Sequence, residues 1–248
     1  MIDELVSIGS PHRHYSSTDS TNERARTLAI AGASSGTVVT ATEQSAGRGR
    51  YGRSWEAPPG KALLYSAILR PPAAEHPLLS LLAALATAEA IESAAAVRCE
   101  IKWPNDVWIE ERKVAGILIE SRPSQWAVVG IGINVSVEPE EFPEDLRWPA
   151  ISVKRGASVQ QLRLALNSTL TEWLRAPHSG ALAAYRSRDA LSGREVEWTR
   201  SEASAALAGT AAGIDDAGNL TLRGPDGILT VSSGEVQLRA AQSEASKG

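Results

Sequence analysis

Hydrophobic and polar positions follow two regimes along this 248-residue chain, and the switch comes at Ser192-Gly193. Upstream, short apolar or β-branched runs of strand length alternate with longer helical stretches. Strands are predicted over 37–42, 62–69, 98–101, 107–109, 114–120 and 127–135. Asp19 or Ser20 is placed to cap a short helix over 22–31 that Gly32 ends. The Ala/Leu-rich stretch 77–96 is long enough for a buried helix. Residues 158–175 pattern as an amphipathic helix, and 179–188 as another. The acidic, proline-bearing stretch 138–149 predicts a surface loop. From 194 to 239 apolar and polar residues alternate between turn clusters at 215–219, 224–227 and 233–234. That predicts about five short strands and no helix, a small all-β barrel. The expected organisation is therefore a first domain over 1–191, a small all-β domain over 192–240 and a disordered tail over 241–248.

Composition narrows the class without naming a chemistry. Hydrophobic residues make up 43% and charged residues 22% of the chain, as in ordinary globular proteins. A single cysteine, Cys99, excludes an internal disulfide and fits a reducing compartment, so a cytoplasmic location is expected. The start Met1-Ile2-Asp3-Glu4 has no basic n-region, and the apolar stretch 77–90 carries Glu89 and is too short for a bilayer. Neither a secretory signal nor a membrane span is expected. A net charge of -4 argues against a general nucleic-acid binder.

Charge type is more informative than net charge. The chain has twenty arginines but five lysines, at 61, 102, 113, 154 and 247. A lysine inside an apolar segment therefore invites a reading based on a compact ammonium. Two such residues, Lys102 and Lys113, flank the apparent turn Trp103-Pro104-Asn105-Asp106. The residue before a proline avoids the α region, so Trp103 is extended. Lys113 could point into a cleft and neutralise charge developing on a phosphate. Asp106 could equally be a turn former, and Lys113 a surface residue.

The run Gly47-Arg48-Gly49-Arg50-Tyr51-Gly52-Arg53-Ser54-Trp55 concentrates forked donors and flexible backbone in one loop. It suits closure over an anion, although a solvated hairpin or a small nucleic-acid patch would use similar residues. Its G-x-G-x-x-G string is not a dinucleotide fingerprint. That motif must open a helix, and here Pro58-Pro59-Gly60 follows closely. Gly60-Lys61 lacks the Ser/Thr and the upstream glycine of a phosphate-binding P-loop. Ser20-Thr21-Asn22 is either a helix cap or a set of small donors and acceptors for a polar ring. The four histidines show no metal-ligand spacing beyond the exposed-looking His12/His14 pair, and no Ser-His-Asp or Cys-His arrangement is evident.

Taken in order, Asp19-Ser20-Thr21-Asn22, Glu43–Trp55, Lys102–Asp106, Lys113–Glu120 and Gly130–Val135 resemble the biotin protein ligases. The resemblance continues more weakly to the closing segment Ser233–Arg239. It implies an α/β (α+β) fold, a mixed sheet flanked by helices of the class II synthetase-like type, with a C-terminal SH3-like barrel. It also implies a two-step reaction, in which biotin and ATP give biotinyl-AMP and a carrier lysine then takes the biotin. Ser20, Thr21, Asn22 and Gln44 would bind the ureido end of biotin. Gly47, Arg48, Gly49 and Arg50 would wrap its carboxylate and the phosphate, with Gly116 beside them. Lys113 would be the catalytic cation, supported by Arg48, Arg50 and Asp106. Arg53, Trp55, Lys102 and Asn134 would serve the nucleotide. Asn105 or Asp106 would orient the phosphates with Mg²⁺, or Asp106 the incoming amine. The implied partner is a biotin carboxyl carrier protein domain of a biotin-dependent carboxylase. Monomer and homodimer both stay open. Only about fifteen residues precede the first motif, so no DNA-binding domain and no DNA binding are expected. A lipoate- or octanoate-type ligase is the nearest alternative, and a non-enzymatic nucleotide-binding module a more distant one.

Overall fold

A computed structural model describes residues 7–144, 146, 148–153, 156–199, 207–224, 227–232 and 237–240. The tail 241–248 and the turn residues 225–226 and 233–234 expected from sequence lie outside them. A seven-stranded sheet is built from β1 (His12–Thr18), β2 (Val38–Gln44), β3 (Ala62–Leu69), β4 (Glu100–Lys102), β5 (Asp106–Ile109), β6 (Arg112–Arg122) and β7 (Trp126–Asn134), in the order β1-β2-β3-β7-β6-β5-β4. Only β1 and β2 run parallel, joined by the crossover helix α1 (Thr21–Ile30). The remaining neighbours are antiparallel.

Helices cover both faces of the sheet. Helix α2 (Leu79–Ala94) is apolar on nearly every side and accordingly buried. Helix α3 (Val159–Trp173) buries the single stripe Leu162, Leu166 and Leu170. These two helices and α4 (His178–Arg186) share a core with Leu63, Tyr65, Ala67 and Leu69 of β3 and Val129, Ile131 and Ile133 of β7. The opposite face holds α1, packed on Val39, Ile68 and Val128. Because side chains alternate along a strand, the even positions Leu64, Ser66, Gly116, Leu118, Gly130 and Gly132 share that second face, beyond the N-terminus of α1. Three glycines there leave a trough in the sheet.

The small all-β unit contains β8 (Glu195–Thr199), β9 (Leu207–Ile214), β10 (Leu220–Gly224), β11 (Gly227–Val231) and β12 (Gln237–Ala240), all antiparallel in the order β11-β10-β9-β8-β12. Among the described residues, five strands and no helix match the alternating pattern.

One strand was not expected from sequence. β1 reads His-Arg-His-Tyr-Ser-Ser-Thr and is mostly exposed. As an edge strand it pairs on one side only and needs no apolar run. The α1 cap also differs from the expectation. Ser20 occupies the N-cap position, but its side chain makes no capping bond. Gln44 Oε1, reaching from β2, accepts from Thr21 N at 2.7 Å instead.

Candidate active site

The glycine trough is the floor of a cleft with about 1020 Å³ of free space counted out to its open mouth. Its inner end is small, polar and buried. Ser66 Oγ reaches Asn22 Oδ1 at 2.7 Å and Thr21 Oγ1 at 2.9 Å. Asn22 Nδ2 donates to Glu120 Oε2 at 2.8 Å. Ser20, Thr21 and Asn22 are each 4% exposed. The floor depends on having no side chain at Gly130 and Gly132. A Cβ on Gly130 would lie 2.0 Å from Asn22 Oδ1, and one on Gly132 would lie 2.4 Å from the Trp55 ring.

The Arg/Gly loop forms the roof, and its shape comes from backbone bonds. Trp55 N donates to Gly47 O at 3.0 Å, and Gly49 N to Arg53 O at 2.7 Å. Between them the chain reverses through positive φ at Tyr51 and Gly52. The Trp55 ring then packs against Gly116 and Gly132, with its indole Nε1 buried and without a partner among the described residues. Arg48 turns outward to Glu23 at 3.2 Å and Glu120 at 3.0 Å. Hydrogen bonding from Arg26, and beyond that the charge of Arg48, hold the Glu23 carboxyl below the usual carboxylate range. Arg50 Nη1 donates to Asn105 Oδ1 at 3.2 Å.

The outer end is cationic. Lys113 Nζ lies 2.8 Å from Asp106 Oδ1 and 5.7 Å from the Trp55 ring centroid. Lys102, only 7% exposed, has its Nζ 4.7 Å from the Trp148 ring and 5.7 Å from that of Trp108. Such aromatic contacts help hold an ammonium in place.

Most residues expected from sequence line this one cleft: Ser20, Thr21, Asn22, Gln44, Arg48, Gly49, Arg50, Arg53, Trp55, Lys102, Asn105, Asp106, Lys113 and Gly116. Two do not. Gly47 sits behind the roof, where a Cβ would strike Trp55 O at 2.3 Å. Asn134 is buried outside the lining, and its amide donates to Ile151 O at 3.3 Å. The two candidates for holding Mg²⁺ are both engaged by the protein. Asn105 Nδ2 donates to Ile117 O at 2.8 Å and its Oδ1 accepts from Arg50, while Asp106 is paired with Lys113. Among the described residues no group of three or more His, Cys, Asp or Glu side chains could hold a metal ion.

Trp148 was missed. It lies in the stretch expected to be a surface loop. The strap that brings it inward is tertiary: Lys113 N donates to Pro149 O at 2.8 Å, and Ile151 N to Lys113 O at 3.0 Å. A tryptophan in an otherwise acidic loop was the available signal. Glu120, which holds both Asn22 and Arg48, was seen only as part of a motif.

A cleft that is neutral and polar at one end and cationic at the other, roofed by an arginine loop, suits a ligand with a small polar head and an anionic tail. Residues 15–136 match the biotin/lipoate A/B protein ligase family, and residues 191–239 match the biotin protein ligase C-terminal domain. The biotin–[acetyl-CoA-carboxylase] ligase of Paracoccus denitrificans is 37% identical, over 88% of this chain and 97% of its own. The bifunctional ligase/repressor BirA of Bacillus subtilis is 34% identical, over 88% of this chain and 71% of its own. The Aquifex aeolicus biotin protein ligase, solved in complex with biotin and ATP, superposes with a TM-score of 0.82 at 29% identity, covering 94% of this chain and all of that one. No helix among the described residues is long and apolar enough to cross a membrane.

Proposed function

The chain belongs to the biotin/lipoate A/B protein ligase family and is a biotin protein ligase, and from that premise we propose how its own residues carry the two steps. Biotin enters with its ureido ring toward Ser20, Thr21, Asn22 and Gln44. Its carboxylate then lies toward Lys113 and the loop arginines, and the α-phosphate of ATP meets it there. A carboxylate oxygen attacks the α-phosphorus, the bond to the pyrophosphate oxygen breaks, and pyrophosphate leaves. Lys113 is the pre-placed cation for the charge that builds up. Lys102, Arg50 and Arg53 hold the remaining phosphate oxygens, and Trp148 covers the nucleotide side beside Lys102. Gly47 acts by letting the roof close, and Asn134 by bracing the strand behind the site rather than by touching adenine.

In the second step the neutral amine of a carrier lysine attacks the acyl carbon. AMP leaves and the nitrogen loses a proton. Once phosphate engages Lys113, Asp106 becomes available to accept from that amine. A closed roof also keeps water from the mixed anhydride. Mg²⁺ would come in on the nucleotide and counter the phosphate charge, and Asp106, once phosphate draws Lys113 away, would be the side chain available to orient it, since Asn105 is engaged by Arg50 and Ile117. The partner is a biotin carboxyl carrier protein domain.

The observation that carries these roles is the meeting of the buried Thr21–Asn22–Ser66 cluster and the Lys113 ammonium in one cleft under the arginine loop. The test is the intact mass of a carrier domain after incubation with the protein, biotin and MgATP, with lipoate as competitor. One biotin added to one lysine, lost in Lys113→Ala and unaffected by lipoate, is expected. Turnover by Lys113→Ala at the wild-type rate would remove Lys113 from its role. Preference for lipoate would exchange the substrate.

A further inference from the structure

One turn of the small all-β unit reaches the catalytic motif. Between β9 and β10 the chain reverses over Asp215–Asn219, and this turn is braced from within. Asp215 Oδ1 accepts from Ala217 N at 2.9 Å and Asn219 N at 2.8 Å, and Asp215 Oδ2 accepts from Asn219 Nδ2 at 3.1 Å. Gly218 has φ +77°, and a Cβ there would strike Leu78, the N-cap residue of α2, at 2.7 Å. Glycine is thus required for both conformation and space. The result is that the Gly218 carbonyl enters the interior and accepts from Trp103 Nε1 at 3.0 Å.

Trp103 is 1% exposed and stands inside the Lys102–Asp106 motif. On one side is Lys102, whose ammonium faces Trp108 and Trp148. On the other is Asn105, which receives Arg50 and bonds both backbone groups of Ile117. We propose that the Gly218–Trp103 hydrogen bond is a strut by which the C-terminal unit sets the position of Lys102 and Asn105, making Trp103 a positioning residue for adenylation. This inference rests on the ligase reading above and deepens it. The same turn also has an outer clamp, in which Arg186 reaches Asp216 Oδ1 at 2.9 Å and His178 Nε2 meets Asp216 O at 2.8 Å. Those two contacts are solvent-exposed, Arg186 also donates to Ile214 O at 3.2 Å, and none of the three touches the motif. The inner end of the cleft, at Thr21, Asn22 and Gln44, is held by β2, β3 and β6 and has no hydrogen bond to the turn.

The strut therefore predicts a split between the two ends of the site. Trp103→Phe keeps an aromatic ring but removes the donor and part of the buried indole's volume. Asp215→Ala loosens the turn without altering the motif itself, in case Trp103→Phe does not fold. Arg186→Ala removes the bonds from Arg186 to Asp216 and to Ile214 O, and leaves the bonds of Asp215 and Gly218 in place. The experiment measures biotin-dependent ATP–pyrophosphate exchange and, separately, biotin affinity by calorimetry. A displacement approaching 1 Å at reacting groups costs up to about 100-fold in rate. The expected result for Trp103→Phe or Asp215→Ala is a fall of roughly tenfold in kcat for exchange, with biotin affinity within about twofold of wild type. Arg186→Ala should behave as wild type in both. Unchanged exchange in the folded strut variants, an equal loss in Arg186→Ala, or a parallel loss of biotin affinity would overturn the strut. Failure of the unsubstituted protein to catalyse any exchange would instead overturn the ligase reading.

Discussion

Lys113 reaches Asp106 because Gly116 has no side chain. Its Nζ lies 2.8 Å from Asp106 Oδ1, while a Cβ on Gly116, the residue opposite Asp106, would stand 3.1 Å from both Lys113 Cε and Nζ. A register shift between Val107 and Trp108 offsets the two strands at this point. Such irregularities re-aim side chains at functional sites. The cation is therefore held in place before substrate arrives and can exchange a carboxylate for a phosphate.

Removing that cation should abolish the first step and spare the fold. Lys113→Ala is expected to lower ATP–pyrophosphate exchange by about 10²–10³-fold, the scale for loss of one charge-stabilising group. Its unfolding midpoint should fall by roughly 4–8 °C, because the largely buried Asp106 carboxyl loses its ammonium at a cost of about 2 kcal/mol. Exchange kinetics and thermal denaturation together check this.

Arg50 secures the roof to the floor through Asn105 Oδ1 at 3.2 Å. Arg50→Gly should still bind biotin at the inner end but hold the adenylate poorly. Release of preformed biotinyl-AMP, followed by stopped-flow or rapid filtration, should speed up at least about tenfold, the equivalent of one charge-assisted hydrogen bond. An unchanged release rate would remove Arg50 from adenylate retention.

Gly130→Ala tests the floor. The added methyl would overlap Asn22, which cannot swing away while Ser66 and Glu120 hold it. Losing one or more buried hydrogen bonds at that end should weaken biotin by about tenfold or more. Calorimetry should show this loss with ATP affinity in the absence of biotin retained.

Asp189 gives the fold a pH dependence away from the cleft. Burial, outweighing hydrogen bonds from the Leu191 and Ser192 N–H groups, raises its carboxyl above the ordinary 3.8, and its Oδ2 has no partner among the described residues. The folded state thus binds this proton more tightly than the unfolded state. Its contribution is fully present below about pH 3.8 and is lost as pH rises through the folded value. Asp189→Asn removes the buried charge. It should stabilise the protein at pH 7 by about 1 kcal/mol, with the gain shrinking in acid. Denaturant titrations of both proteins across pH 3.5–7 measure the difference directly.

Much of this molecule could be read from its residues. Periodicity marked β3 and the buried and amphipathic helices, and the switch to short alternating runs marked the five-stranded unit, because burial on one face or all round imposes a period on the chain. The motifs carried the chemistry, since glycines beside arginines and lysines in an arginine-rich chain are local signatures. Tertiary structure decided what depends on partners distant in sequence. It made β1 a strand through a single parallel neighbour and gave the cap of α1 to Gln44. It also removed Asn134 from the cleft wall, drew Trp148 in over Lys102, and put the Gly218 carbonyl under Trp103. A hydrogen bond spanning 115 residues leaves no periodic trace in either segment, so it appears only once the chain has folded.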